Sequence, residues 1–348
     1  MIKRKHGGVK NKNLIDFSSP TNPLGPPIFT EKLLKKCISQ KHYKYYPSYK
    51  KLINALSDYW GIDEDYIIPV NGSDEALTII PLTLNLKKFI ILEPNFGDYN
   101  LMSKNLKIRL VRPTIDLRNE DPVVNIDKLV NILKKNKDSP LLISRPNNPT
   151  GFCIDKKELE YLSSRVNNMI IIDEAFIEIS DCEKINPSEN YIIIRSQTKT
   201  FSTPGLRLGE IITLNKKFLN ILESSLQAWP IDSITNCFYS NLLYEKEFIS
   251  SYLNNANNLI TNEKEFIMRE LKKIIKYKSR TSFILIKHEN LPNPHFKREL
   301  IKRGLFIRDA SSFYGLDKSF SRISIKNHKE NLILINSING VLNEQKNY

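Results

Sequence analysis

Residues 195–209 read Arg195-Ser-Gln-Thr-Lys-Thr-Phe-Ser-Thr-Pro-Gly-Leu-Arg-Leu-Gly209 and follow directly on the apolar run Tyr191-Ile-Ile-Ile194. A short unbroken apolar run of this kind predicts a strand buried on both faces of a parallel sheet. Lys199 then falls in the loop at the strand's carboxyl end, where open α/β sheets bind ligands. Ser196 stands three residues before it and Arg207 eight after it, so a hydroxyl and a guanidinium can reach an anion beside the lysine amine. Such groups suit a phosphorylated aldehyde. The competing reading is a surface lysine in a polar loop, since the chain holds 52 Lys plus Arg.

Three upstream segments bear on that choice. Asn147-Asn-Pro-Thr-Gly151 follows the apolar run Leu141-Leu-Ile143, and Ile170-Ile-Ile-Asp-Glu-Ala-Phe176 ends another strand with the carboxylate of Asp173 at its tip. Asn71-Gly-Ser-Asp-Glu-Ala76 opens a helical pattern after Tyr66-Ile-Ile-Pro-Val70. Free backbone N–H groups at such a helix start make an anion site. Each motif alone is weak, but the four in this order point to one ligand.

With those residues in place, the chain resembles the fold-type I pyridoxal-phosphate enzymes of the class I/II aminotransferase family. The resemblance lies in the branch that holds threonine-phosphate decarboxylases and histidinol-phosphate aminotransferases, and it runs from about His6 to the C-terminal helix. Several segments look closer to the decarboxylases: His6-Gly-Gly8, Asp16-Phe-Ser18 with Asn22-Pro-Leu-Gly-Pro-Pro27, Asp173-Glu-Ala-Phe176, and Ile307-Arg-Asp-Ala-Ser-Ser-Phe-Tyr-Gly-Leu316. Phe176 stands where aminotransferases usually carry a tyrosine. Pro20-Thr21 replaces the usual Asn-Ile of the decarboxylases, and Trp229-Pro-Ile-Asp232 replaces a more typical Trp-x-Val-Asn.

The resemblance implies a role for each residue. Lys199 would join the cofactor, pyridoxal 5'-phosphate, as a Schiff base. Asp173 would pair with the pyridine nitrogen, Asn148 would bond the ring's phenolic oxygen, and Phe96 would stack on the ring. The N–H groups of Ser73 and Asp74, the Ser196 hydroxyl and the Arg207 fork would hold the phosphate. Tyr46, in Tyr45-Tyr-Pro47, would be donated by the other subunit of a homodimer with a shared active site. Plainer readings stand beside these: Phe96 as core, Asp173 as a cap, and Tyr46 as packing within the aromatic run Tyr43 to Tyr49.

Substrate choice is implied to lie at both ends of the chain. Arg322, in Ser321-Arg-Ile-Ser-Ile325, matches the family arginine that grips a carboxylate, and Arg308 resembles a second active-site arginine; an exposed strand-edge charge is the alternative for each. Two forks suit a small phosphorylated amino acid such as O-phosphothreonine, which carries a carboxylate and a phosphate, whereas histidinol phosphate has only the phosphate. His6 and Asn22 are the candidate contacts to the substrate phosphate. Residues 1–50 contain eleven Lys plus Arg against two Asp plus Glu, so +9 of the net +14 lies there and helps attract an anion. Whichever bond at Cα stands perpendicular to the ring breaks. A perpendicular carboxylate gives decarboxylation to 1-amino-2-propanol phosphate, the linker of cobalamin assembly; a perpendicular hydrogen gives transamination.

Composition sets the outer limits. A chain of 348 residues can hold two domains with substantial cores. No apolar run approaches a membrane span, and the charged start Met1-Ile-Lys-Arg-Lys5 lacks a following apolar segment, so a cytoplasmic location is expected. Cys37, Cys153, Cys182 and Cys237 show no CxxC spacing, which argues against a metal site and a disulfide framework. A basic nucleic-acid-binding protein is the remote alternative raised by the charge, but no signature of that class is present.

The expected architecture is α/β: a doubly wound, mostly parallel sheet in a large domain, with a smaller α+β domain. Residues 1–44 are expected as an arm and first helix belonging to the small domain, 45–228 as the cofactor-binding domain, and 229–348 as a long bridging helix from Ser233 to about Ile275 plus the C-terminal small domain.

Overall fold

The computed structural model describes residues 7–9, 11 and 13–344. A short strand, β1 (Ile15–Asp16), precedes the helices Thr30–Ser39 and Lys50–Trp60. Seven strands follow, β2 (Ile67–Val70), β3 (Lys88–Ile91), β4 (Arg109–Val111), β5 (Leu141–Ser144), β6 (Ile170–Asp173), β7 (Tyr191–Ser196) and β8 (Gly209–Ile212). The C-terminal part holds β9 (Ile275–Lys276), β10 (Phe283–Lys287), β11 (Leu305–Phe306), β12 (Arg308–Asp309) and β13 (Phe320–Ser324), closed by the helix His328–Glu344.

The large sheet runs β2-β8-β7-β6-β5-β3-β4, with β8 antiparallel to both neighbours and the other pairings parallel. Successive residues of its strands feed two separate cores. Ile170, Ile172, Tyr191 and Ile193 pack with Leu52 and Leu56 of one helix and Leu159 and Leu162 of another, whereas Ile171, Ile192 and Ile194 pack with Ala76, Leu77 and Ile80 of the helix Gly72–Thr83. Burial on both faces is why these strands read as unbroken Ile and Leu rather than as an alternating pattern. The alternation also sends Asp173 and Ser196 to the Gly72–Thr83 side of the sheet.

The second sheet, β12-β13-β10-β9, is antiparallel and has its own core with the helix His328–Glu344. Here β1 pairs in parallel with β11, and Phe17 is buried in the same core. The expected N-terminal arm is thus shared between two bodies. Its first strand joins the C-terminal part, while its helix Thr30–Ser39 packs on Ser233–Leu242, with Phe29, Leu33 and Leu34 against the core of the large sheet.

Two expectations need correction. The bridging helix is broken into Ser233–Leu242 and Lys246–Glu270. No Gly or Pro marks the break, and apolar residues continue across it: Leu242 and Leu243 both sink into the large core, turning the chain there. The cysteines are paired, Cys37 with Cys237 and Cys153 with Cys182. Partners 200 and 29 residues apart leave no local spacing signal, because helix packing and loop placement bring them together. Among the described residues, no helix is long and apolar enough to cross a membrane.

Candidate active site

One pocket opens at the carboxyl ends of the central strands. It is lined by Ser73, Asp74, Phe96, Asn148, Asp173, Lys199, Arg207 and Arg322, together with Phe176, Thr198 and the arm residues Gly7, Ser18, Ser19 and Pro20. Residues scattered over most of the chain meet because parallel strands end on the same edge of the sheet.

Asp173 ends β6 and is buried. Among the described residues its hydrogen-bond donors are the Tyr99 hydroxyl and the Ala175 N–H, at 3.0 Å for the latter, and neither is a cation. Burial raises its carboxyl to about 6 against the stabilising pull of those two donors. A buried carboxylate without a cationic partner fits a protonated ring nitrogen. Lys199 lies in the short helical turn Gln197–Thr200 directly after β7, and desolvation, then the neighbouring Arg322 guanidinium, lowers its amine to about 8. A lysine so placed keeps a substantial share of neutral, nucleophilic amine near neutral pH.

The anion end is built by backbone. The helix Gly72–Thr83 begins at the pocket, and Gly72 has φ +69°, a left-handed conformation that suits glycine. A Cβ there would lie 2.6 Å from Arg207 Nη2, so only glycine leaves room for the guanidinium beside the helix start. Arg207 meets Asp74 Oδ2 at 3.3 Å. Ser196 is buried, with its hydroxyl 2.9 Å from that of Thr198. Thr198 is the member of this pair that lines the pocket, a residue the sequence reading passed over although it sits next to Lys199. These groups fit pyridoxal phosphate: a cradle for a phosphate, an acid with no cationic hydrogen-bond partner among the described residues and a lysine of lowered proton affinity face one pocket.

On the other wall, Arg322 of β13 is buried; its Nη1 donates to Asn148 Oδ1 and its Nη2 to the Ser18 carbonyl at 2.7 Å. Asn148 thereby keeps its NH2 as the donor available to a ligand oxygen. Arg322 Nε has no partner among the described residues. Arg308 lies directly opposite Arg322 across the β12–β13 ladder, with Nη2 donating to Ser312 Oγ at 2.9 Å, and is not a lining residue of the pocket. Burial and the facing Arg308 charge lower the proton affinity of Arg322. A buried cation facing a second cation is a strong site for an anion.

Two other expected residues, Asn22 and Tyr46, take different places. Asn22 is buried, but its Nδ2 donates to the Thr200 carbonyl at 3.0 Å, its backbone N–H to the Lys199 carbonyl at 2.9 Å, and its Oδ1 accepts from Leu24 N–H at 3.0 Å. It ties the arm to the lysine loop and is not among the lining residues. Tyr46 is exposed on a separate groove, stacked on Trp229 at 3.9 Å between ring centres. His6 lies outside the described residues. Tyr99 was not foreseen, because its bond to Asp173 spans 74 positions of sequence.

The aminotransferase class I and II family matches residues 12–338. A candidate threonine-phosphate decarboxylase of Caldanaerobacter subterraneus is 31% identical over 98% of this chain and 94% of its own length. A histidinol-phosphate aminotransferase of Clostridium novyi is also 31% identical, over 84% of this chain and 82% of its own. The crystal structure of the histidinol-phosphate aminotransferase from Clostridium acetobutylicum superposes with a TM-score of 0.84 at 26% identity, covering 96% of this chain and all of that one. Sequence, fold and pocket agree that the chain belongs to the aminotransferase class I and II family, enzymes that work with pyridoxal phosphate.

Proposed function

We propose that the protein decarboxylates O-phospho-L-threonine to 1-amino-2-propanol phosphate, acting in the cytoplasm as a homodimer. The observation that carries this reading is Arg322, a buried guanidinium whose Nε has no partner among the described residues and which a second guanidinium faces, beside Lys199. Its counter-ion is the substrate carboxylate. Phe176, which puts an apolar ring where the aminotransferases of the family usually carry a tyrosine hydroxyl, and the full-length similarity to the candidate decarboxylase support it further.

Pyridoxal phosphate, when bound, supplies an electron sink for the pair released at the substrate Cα. Asp173 holds the proton on the ring nitrogen, which keeps that sink deep. Asn148 donates to the ring's phenolic oxygen, and the start of the helix Gly72–Thr83 with Arg207 anchors the phosphate. Arg322 would hold and orient the substrate carboxylate that leaves as carbon dioxide, and Lys199 would return a proton to Cα in its place. Gly7 and Ser18 to Pro20 line the arm side of the pocket. Tyr46, exposed on its own chain, reaches the phosphate of the second copy.

Transamination of histidinol phosphate is the second reading, favoured by the equal identity of the Clostridium novyi relative. It uses the same lysine and the same sink. The test is to incubate the loaded protein with O-phospho-L-threonine, and separately with histidinol phosphate plus 2-oxoglutarate, following carbon dioxide and glutamate. Carbon dioxide from the first and no glutamate from the second is the expected result; glutamate without carbon dioxide overturns it in favour of the aminotransferase.

A further inference from the structure

The sheet face opposite the pocket carries one ionisable side chain on or directly after each of four neighbouring strands. Arg145 follows β5, Glu174 follows β6, Arg195 lies in β7 and Glu210 in β8, so basic and acidic side chains alternate across the sheet, and burial raises the Glu210 carboxyl to about 7. All four are at most 2% exposed. Glu174 Oε1 accepts from Arg145 Nη1 at 3.0 Å, and its Oε2 accepts from Arg195 Nε at 3.0 Å. Arg195 and Glu210 are directly opposite in the β7–β8 ladder, and Glu210 accepts from Gln197 Nε2 at 2.8 Å. Outer contacts anchor the row: Arg145 Nε donates to the Ile154 carbonyl at 2.8 Å, and the Arg195 guanidinium lies 4.1 Å from the centre of the Trp60 ring.

Stability alone does not explain such a row. Burying charges carries a large desolvation cost, and apolar side chains of similar volume are often the more stable choice. The row does have a consistent relation to the pocket. Arg145 lies three residues before Asn148, Glu174 adjoins Asp173, and Arg195 adjoins Ser196 four residues before Lys199. Glu210 adjoins Gly209, where a Cβ would come within 2.7 Å of the Ser73 nitrogen. Backbone bonds repeat the pattern, with Arg145 N–H donating to the Asp173 carbonyl at 2.8 Å and Glu174 N–H to the Ile194 carbonyl at 2.7 Å.

We infer that Arg145, Glu174, Arg195 and Glu210 form a positioning belt that fixes the spacing of four strand ends, so that Asn148, Asp173, Lys199 and the phosphate cradle address one cofactor molecule. None of the four touches the cofactor; they act through the residues beside them. The inference rests on the cofactor assignment and is independent of which substrate is used.

The test is Glu174→Gln in the full chain, with pyridoxal phosphate as the titrant. It keeps the side chain's shape and removes the charge shared by the two arginines. The expected result is a dissociation constant raised at least tenfold, together with a shift of half a unit or more in the pH midpoint of the visible absorbance of lysine-bound cofactor. Glu263→Gln serves as the control: this buried carboxylate, held by His328 and Asn331 at 2.9 Å each, lies in the other core and should lower the melting temperature without moving either readout. A Glu174→Gln protein that melts lower but keeps its dissociation constant within twofold and its absorbance midpoint unmoved would make the row a purely structural feature and overturn the inference. Should that variant fail to fold, Glu210→Gln at the end of the row is judged by the same readouts, with a threefold weaker binding supporting the belt and unchanged values overturning it. Neither readout involves a substrate, so failure of the decarboxylase reading leaves this result interpretable.

Discussion

Asp173→Asn separates what this residue does for the ligand from what it does to the fold. Burial raises its carboxyl from 3.8 to about 6 in the protein without cofactor. Well below pH 3.8 the group is protonated whether the chain is folded or not, and it contributes no difference. As pH rises from 3.8 to about 6 the unfolded chain ionises the group freely in water while the folded protein still holds the proton, so stability is lost across that window. At about 1.4 kcal/mol per tenfold change in proton affinity, the loss amounts to roughly 3 kcal/mol. Asparagine keeps its single oxygen for the Ala175 N–H and turns its NH2 toward the Tyr99 hydroxyl, which can rotate to accept, and it has no charge to bury. The cofactor-free variant is therefore expected to melt about 4 °C above the parent at pH 8, from an unfolding entropy of roughly 2 cal/mol/K per residue. At pH 4 the difference should shrink to about 1 °C or less. Thermal melts of both proteins, stripped of cofactor, at several pH values between 4 and 8 make the measurement. With pyridoxal phosphate added the order should reverse, because only the parent holds the ring proton. A variant that melts below the parent at pH 8 without cofactor, or a difference that does not change with pH, would refute the reasoning.

Lys199→Ala is expected to lose turnover and the visible absorbance of bound cofactor together; absorbance retained in that variant would contradict the assignment. Arg322→Ala should raise the KM for phosphothreonine about a hundredfold, since a charge-assisted bond contributes up to about 3 kcal/mol, while the cofactor dissociation constant changes less than threefold by fluorescence titration. Tyr99→Phe removes one of the donors to Asp173 and should weaken cofactor binding about tenfold, with the acid limb of the absorbance titration moved to higher pH as Asp173 holds its proton more tightly. Gly72→Ala places a methyl against Arg207 in a left-handed backbone position, and should reduce affinity for free phosphate and for the cofactor alike in equilibrium dialysis.

Much of the site was legible because it depends on local order. Lys199, Asp173 and Asn148 each follow an unbroken Ile- or Leu-rich run, and such runs buried on both faces are characteristic of parallel strands, whose carboxyl edge then collects whatever comes next. The helix start at Gly72 was legible for the same reason, as a glycine-polar sequence directly after a strand. Other features depend on contacts that no spacing encodes. Asn22 is held to the lysine loop 178 positions away, Tyr99 reaches Asp173 across the pocket, and Cys37 meets Cys237 where two helices pack. The charged residues Arg145, Glu174, Arg195 and Glu210 look in sequence like ordinary polar ends of strands. Only the pairing order of β5, β6, β7 and β8 turns them into a buried row of alternating basic and acidic side chains. The amino-acid order by itself determined the strands, their burial and the groups at their tips, because hydrophobic patterning acts over a few residues; the tertiary structure decided which of those groups face one another, because that depends on strand order and on contacts across most of the chain.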